Sequence, residues 1–219
     1  QFLSIKKYLN NQLSTNGYVD ISEYSLEKEV EKSGKISDVL SVGDKLMVQV
    51  VKEPIHNKGP RITAEISIAG RYVVLIPFSN KISVSLKIKN SAERNRLKKI
   101  ASALVPNNYG VIVRTVAEGK SINDIENDIN DLLQKWNNAI NGIKGNVFPQ
   151  KLYGEINMAN SILRDHLNSS YTGIYVNDKK LYEEIKGFLS VISPESLGII
   201  KYYDEVSLFE KFGIDKQIL

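Results

Sequence analysis

Three short segments of this 219-residue chain carry side chains whose type and spacing could act on a charged ligand. The first is Arg114-Thr115, directly after the apolar run Gly110-Val-Ile-Val. A guanidinium fork can hold two phosphate oxygens and a neighbouring hydroxyl can donate to a third. The C-terminal end of a strand would present both at a sheet rim. The same arginine could instead leave the sheet into a surface ion pair with the acidic residues that follow, and residue type alone leaves both readings open. The second segment is Glu118-Gly119-Lys120-Ser121, which has the ending of a phosphate-binding loop. Such a loop needs a glycine five residues before Gly119 so that its backbone can curl round the phosphates. That position holds Arg114, and the P-loop reading fails there. The third segment is Asp124, Asp128 and Asp131, at i, i+4 and i+7 on one face of an expected helix. Three carboxylates at that spacing could hold a divalent ion. Carboxylates early in a helix more commonly serve the helix dipole and solubility.

The remaining reactive groups are scattered. His56 and His166 are far apart, and no base lies near a serine or threonine in a way that supports a hydrolytic triad. The chain has no cysteine, which excludes a disulfide scaffold and every thiolate metal site within it. Lys58-Gly59-Pro60-Arg61, with Lys52 nearby, forms a basic tip that could touch a nucleic-acid backbone, as loops of OB-type barrels do. Exposed lysine-bearing tips without a partner are equally common. Charge is uneven along the chain. From Lys81 to Arg114 eight basic residues face Glu93 alone, a net of +7, and from Thr115 to Gln134 five acids face Lys120, a net of −4. A basic strand and helix beside an acidic helix suit a phosphate-bearing ligand, and they also suit two solvated amphipathic faces.

These residues must be positioned by the elements around them. The first forty residues are weakly periodic, with turn signals at Asn10-Asn11 and Thr15-Asn16-Gly17, and read as a helix or irregular arm. Leu46–Lys52 and Arg61–Ile68 read as two strands of a hairpin whose link contains Pro54, Gly59 and Pro60. Arg71–Pro77, Ile82–Ile88 and Gly110–Thr115 read as further strands. Asn90-Ser91 opens a helix with Leu97, Ile100, Ala101 and Leu104 inward, ended by Pro106. Ile122, Ile125, Ile129, Leu132, Leu133, Trp136 and Ile140 define an amphipathic helix of about six turns. Ser121 and Asp124 cap its start, Gly142 and Gly145 close it, and Trp136 reads as a packing residue. Beyond it, helices over roughly 156–167 and 180–191 alternate with strands 174–177 and 198–203. Strands separated by helices predict parallel pairing in a mixed sheet. The fold class is therefore α+β (mixed α/β), in lobes with boundaries near 65 and 150.

Composition agrees with this. With 42% hydrophobic and 25% charged residues and a net charge of +4, disordered and fibrous classes are excluded. No stretch approaches the roughly 18 apolar residues of a membrane span, and the start lacks a signal peptide's apolar run. A cytoplasmic protein is expected. The absence of an initial Met and the uncapped tail Phe212–Leu219 lead us to expect a piece of a longer protein.

Several runs together resemble one family. Val48-Gln-Val-Val-Lys-Glu-Pro54, Asn57-Lys-Gly-Pro-Arg-Ile-Thr63, Ile66–Pro77 and Gly110–Gly119, with Trp136 at the matching distance, are similar to the bacterial ribonuclease E/G family. Ile174–Asp178 and Phe212–Ile218 fit the same pattern, collinear over roughly residues 40–219. The likeness is greater to its ribonuclease G branch than to the longer, scaffold-bearing ribonuclease E branch. The resemblance implies a homo-oligomeric, Mg²⁺-dependent endoribonuclease of RNA processing and decay. Such an enzyme cuts single-stranded RNA, is stimulated by a 5′-monophosphate, and shares a zinc ion between subunits. It also implies a layout: 1–64 as the later part of an OB-fold RNA-binding domain, 65–154 as a 5′-sensor region, and 155–219 as part of an RNase H-like domain.

Carried over by residue, Arg114 and Thr115 match the pair that grips the terminal phosphate. Val74 matches a position that lends its backbone to the same pocket, with Gly70 beside it. Lys58 matches an RNA-contacting lysine, with Arg61 in the same tip. One departure concerns the residues after Ser85, where the family often has two arginines and this chain has Leu86 and Lys87. A leucine cannot donate to a phosphate, and Lys87 supplies charge without a planar fork. The family's Mg²⁺-binding aspartates are expected beyond Leu219 and its zinc-linking cysteines further on, so no catalytic residue, metal site or cofactor is expected in this chain and it is not expected to cut RNA alone. The competing readings are an RNA-binding module indifferent to the 5′ end and a protein-interaction scaffold that binds no RNA.

Overall fold

A computed structural model describes residue 21 and residues 35–143, 148–154, 157–168, 170–204 and 207–218. The expected N-terminal arm up to residue 34, apart from Ile21, lies outside the described residues, as do Gly145 and Ile156. The chain divides into two units, residues 1–153 and 154–219.

The first unit begins with the expected hairpin. β1 (Gln49–Lys52) and β2 (Arg61–Thr63) pair antiparallel, with Val50 opposite Ile62 and an irregularity between Val50 and Lys52. Alternation predicts that β2 runs on to Ile68, but it ends at Thr63, where side chains take over its backbone groups. The Glu65 amide donates to Thr63 Oγ1 at 3.1 Å. The Ser67 amide donates to Gln49 Oε1 at 2.8 Å, and Gln49 Nε2 donates back to the Ser67 carbonyl at 3.0 Å. Among the described residues the hairpin belongs to no closed barrel.

The chain then enters a four-stranded mixed sheet. β3 (Ile68–Ala69), β4 (Val73–Pro77), β5 (Ile82–Val84) and β6 (Tyr109–Val113) lie in the order β3-β4-β6-β5. β4 is antiparallel to β3 and β6, and β5 runs parallel to β6. That parallel pair requires a crossover, supplied by α1 (Ser91–Leu104). Asn90 Oδ1 caps α1 by accepting the Ala92 and Glu93 amides. The helix ends before Pro106 because a residue preceding proline is driven to extended backbone, as Val105 is (φ −83°, ψ 125°).

After β6 comes α2 (Ile122–Asn141), opened by the predicted reciprocal capping box between Ser121 and Asp124. Both helices cover one face of the sheet. Val73, Leu75, Val111 and Val113 from the strands meet Leu97, Ala101, Ile125, Ile129 and Leu132 from the helices, all fully buried or nearly so. Each buried valine, leucine or isoleucine among them contributes about 1.5–3 kcal/mol by leaving water. Trp136 is buried as expected, its ring edge-on to Phe78 at 5.9 Å.

In the second unit α3 (Met158–His166) packs on α4 (Lys179–Ile192), which connects β7 (Ile174–Val176) to β8 (Ile200–Tyr202) in parallel. β8 starts later than alternation predicts because a 3-10 segment, Pro194–Ile199, occupies the approach. Leu167, Val176, Ile185, Leu189 and Ile200 form its core. Two short helices, α5 (Leu208–Lys211) and α6 (Ile214–Ile218), end the described chain. The fold is α+β, with the parallel pairing expected of strands joined through helices.

Candidate phosphate-binding site

Strand alternation decides what the sheet offers on its uncovered face. Because Val73, Leu75, Val111 and Val113 point to the helices, their neighbours point away. Register then lines Val74, Ile112 and Ser83 up across β4, β6 and β5. One step nearer the rim the row continues as Tyr72, Arg114 and Ser85, fastened by main-chain bonds. The Arg114 amide donates to the Tyr72 carbonyl at 2.8 Å, and the Ser85 amide donates to the Val113 carbonyl at 2.9 Å.

Ser85 marks a second departure from the expected elements. Alternation predicts a strand to Ile88, but the chain turns after Val84. The Lys87 amide donates to Ser85 Oγ and the Ile88 amide to the Ser85 carbonyl. The turn puts Ser85 Oγ 3.0 Å from Thr115 Oγ1. Thr115 in turn begins a single 3-10 turn (Thr115–Ala117) that follows the strand end at Arg114. Two hydroxyls thus meet at the C-terminal rim of two parallel strands, one of them next in the chain to Arg114.

Arg114 is aimed by the turn that precedes β4: its Nη1 donates to the Gly70 carbonyl at 2.8 Å. Gly70 is buried there and its own amide closes on the Val73 carbonyl at 2.8 Å. Cations surround the rim. The Arg71 guanidinium and Lys120 Nζ each lie 5.7 Å from the Tyr72 ring, within cation–π range. Leu86 and Lys87 stand exposed on the Ser85 turn.

Asp128 belongs to the same turn. From α2 it reaches three consecutive amides: Arg71 donates to Oδ1 at 3.0 Å, and Tyr72 and Val73 donate to Oδ2 at 2.7 and 2.9 Å. Burial pushes its carboxyl above the ordinary value, against the pull of those amides. The three aspartates that share a helix face therefore face three different partners. Asp124 holds the capping box, where the Ser121 hydroxyl keeps its carboxyl below the ordinary range, and Asp131 pairs with Lys135. Among the described residues no group of three histidines or carboxylates is arranged to hold a metal ion.

Glu93 supports the far side of the site. It receives Arg96 in a two-point contact at 2.7 Å and the Gly119 amide at 2.9 Å, while Arg96 Nη2 donates to the Lys120 carbonyl at 2.9 Å. Hydrogen bonding from Arg96 above all, then from Gly119, lowers the Glu93 carboxyl from 4.5 to about 2. Gly119 has φ +72°, a left-handed conformation that favours glycine. Its amide faces a carboxylate, where a phosphate-binding loop would face an anionic ligand.

The structure brings Gly70, Arg114 and Thr115 together and adds Ser85 and Tyr72, which the sequence alone does not single out, and Asp128, which the sequence offers only as part of a possible ion-binding face. The tie between Ser85 and Thr115 crosses 30 residues and no short motif encodes it. Val74 lies on the same sheet face, one step further from the rim, between Ala69 and Ile112. Lys58 and Arg61 lie on the hairpin, both exposed, with Lys58 bridged to Ile55. His56 is also in that tip, with φ 49°, and His166 ends α3.

Residues 67–219 match the model of the Ribonuclease E/G family. Ribonuclease G of Escherichia coli (strain K12) is 33% identical over 84% of this chain and 38% of its own length. The Ribonuclease E/G-like protein of Pyropia yezoensis is 29% identical over 93% of the chain and 41% of its own length. Ribonuclease E of Nostoc sp. (strain PCC 7120) is 31% identical over 93% of the chain and 30% of its own length. The chain thus spans well under half the length of the relatives it matches. On a match that covers most of its residues, the chain belongs to the ribonuclease E/G family.

Proposed function

We propose that this chain carries the RNA-binding and 5′-monophosphate-sensing part of a Mg²⁺-dependent endoribonuclease that acts on single-stranded RNA in RNA processing and decay. The observation that carries the proposal is the rim itself. Arg114 and Thr115 stand side by side at a strand end, one braced on the Gly70 carbonyl and the other on Ser85 Oγ. A terminal phosphate monoester is doubly charged near neutral pH and offers three acceptor oxygens. A guanidinium fork and two hydroxyls supply matching donors, and Arg71, Lys120 and Lys87 supply attraction at longer range. In this reading Val74 lines the inner wall, and Lys58 and Arg61 hold the RNA backbone at the hairpin of a partial OB-fold.

Neither Mg²⁺ nor zinc is assigned to residues of this chain. It has no cysteine, and its described carboxylates do not gather into a metal site. No catalytic residue is proposed within it. The setting proposed is the cytoplasm; among the described residues no helix is long and apolar enough to cross a membrane.

The test compares binding of a short single-stranded RNA with a 5′-monophosphate against the same RNA with a 5′-hydroxyl. The monophosphate form binds more tightly, and Arg114→Ala removes the difference. Losing a charged two-point contact costs about 1.5–3 kcal/mol, roughly ten- to hundred-fold in affinity. Equal affinity of the unaltered folded chain for both RNAs refutes the assignment. One observation favours a second reading, RNA binding without end recognition: Leu86, where the family often has arginine, is 83% exposed beside Ser85. That reading predicts equal, salt-dependent affinity for both RNAs.

A further inference from the structure

We propose that Asp128 is a positioning residue of the phosphate site, holding the 70–73 turn at the height from which Gly70 aims the Arg114 guanidinium. The proposal rests on the 5′-phosphate reading above and goes beyond it to the residue that sets the site's geometry.

The turn carries two fastenings of Arg114. The Gly70 carbonyl takes its Nη1, and the Tyr72 carbonyl takes its backbone amide, each at 2.8 Å. A shift of the turn would carry both acceptors, the Gly70 and Tyr72 carbonyls, with it. Three successive amides of that turn, Arg71, Tyr72 and Val73, converge on one carboxylate more than fifty residues away in sequence. Converging amides of this kind form an anion nest. Here the nest is filled from within by Asp128, so an incoming phosphate meets side-chain donors at the rim and not these amides. α2, which carries Asp128, is anchored by Ile125, Ile129 and Leu132 in the core. The carboxylate therefore ties the amides of the turn to a helix packed in the same core that receives Val73.

The residue before the nest agrees with this. A Cβ on Gly70 would lie 2.6 Å from Asp128 Oδ2 and 2.7 Å from Oδ1. The glycine leaves room for the carboxylate, and the carboxylate explains the glycine.

The test uses the 219-residue chain, with the ratio of affinities for 5′-monophosphate and 5′-hydroxyl RNA as the readout. Asp128→Asn keeps the shape but replaces one acceptor oxygen by an amino group that repels the amides. Asp131→Asn, one turn further on and paired with Lys135, removes the same charge without touching the turn. We expect Asp128→Asn to lower the ratio about tenfold with 5′-hydroxyl affinity little changed, since small misplacements of a binding group have effects of this order. Asp131→Asn should leave the ratio intact. The proposal is overturned if Asp128→Asn keeps the ratio, if both affinities fall together, or if the variant no longer folds, which would make Asp128 a residue of the fold alone. An unaltered chain that fails to discriminate the two ends defeats the 5′-phosphate reading instead, and this inference with it.

Discussion

Replacing Gly70 by alanine adds one methyl group, and the structure says where its cost arises. The new Cβ would stand 2.6, 2.7 and 2.8 Å from Oδ2, Oδ1 and Cγ of Asp128, where ordinary contact begins near 3.4 Å. A loose side-chain end could step aside cheaply. This one is tied to amides at 2.7, 2.9 and 3.0 Å, so a retreat of half an ångström or more carries all three toward the limit of hydrogen bonding. Bonds to a charged acceptor contribute about 1.5–3 kcal/mol each. Weakening three of them while the turn relaxes to keep part of each should cost about 2–5 kcal/mol. For a chain of this size that is a drop of roughly 5–15 °C in the melting temperature. The assay is thermal unfolding followed by circular dichroism for four chains: unaltered, Gly70→Ala, Asp128→Ala and the double variant. Asp128→Ala removes the three atoms nearest to the new methyl, so Gly70→Ala should cost less than about 1 kcal/mol in that background, a coupling of the size expected for contacting residues. If Gly70→Ala is as damaging in both backgrounds, or melts within a degree or two of the unaltered chain, the steric reasoning is wrong.

Three further outcomes are expected. Glu93 is held at about 2 in the folded chain against an ordinary 4.5. A lowered carboxyl favours the folded state above its unfolded value, so its contribution is complete above pH 4.5 and lost as pH falls toward 2. Acid titration of stability should therefore be less steep in Glu93→Gln than in the unaltered chain over that window, and parallel curves would exclude Glu93 as a contributor. Lys58→Ala with Arg61→Ala should weaken RNA binding equally for both 5′ ends and reduce the dependence of log affinity on log salt by about 1–2; a change in end preference would place the hairpin at the sensor. Finally, the chain alone should leave single-stranded RNA intact with Mg²⁺ present, as gel electrophoresis of labelled RNA would show; cleavage that survives removal of contaminating nucleases would require catalytic groups within these residues.

Much of the scaffold around the site is legible in the sequence because its signals are local and repeated. Leu97, Ile100 and Ala101 mark α1, and Ile125, Ile129, Leu132 and Trp136 mark α2, each at helical spacing and each buried. The Ser121–Asp124 box is complete within four residues. Alternation fails where a side chain outbids the ladder for backbone groups. Gln49 takes both polar groups of Ser67, and Ser85 turns the chain at what reads as mid-strand. Alternation records which face a residue would occupy and says nothing about whether its neighbour's hydroxyl competes for its amide. At the site, Arg114 and Thr115 stand out because they are adjacent and their chemistry is overt. Ser85 and Tyr72 do not, and Asp128 stands out only as one of three possible ion ligands, because each acts through a partner 30 or more residues away.

The acidic run after Thr115 illustrates how position in the fold changes the meaning of charge. Counted along the chain, five acids beside a +7 segment look like a counter-surface that would neutralise an anion site. In the fold, Asp128 is turned onto the backbone of the 70–73 turn, Asp124 onto the helix start and Asp131 onto Lys135. The lone acid of the basic segment is also engaged, with Glu93 holding Arg96 and the Gly119 amide. Glu93 and Asp131 are offset by the cations they pair with, and exposed charges more than about a Debye length away, near 8–10 Å at physiological salt, are screened. The basic groups placed around the rim are Arg71, Arg114, Lys120 and Lys87, although the chain as a whole carries a net charge of only +4. Of the carboxylates that lower the formal charge of this region, Glu93 holds Arg96 and Asp131 pairs with Lys135, while Asp128 holds the backbone of the turn that receives Arg114.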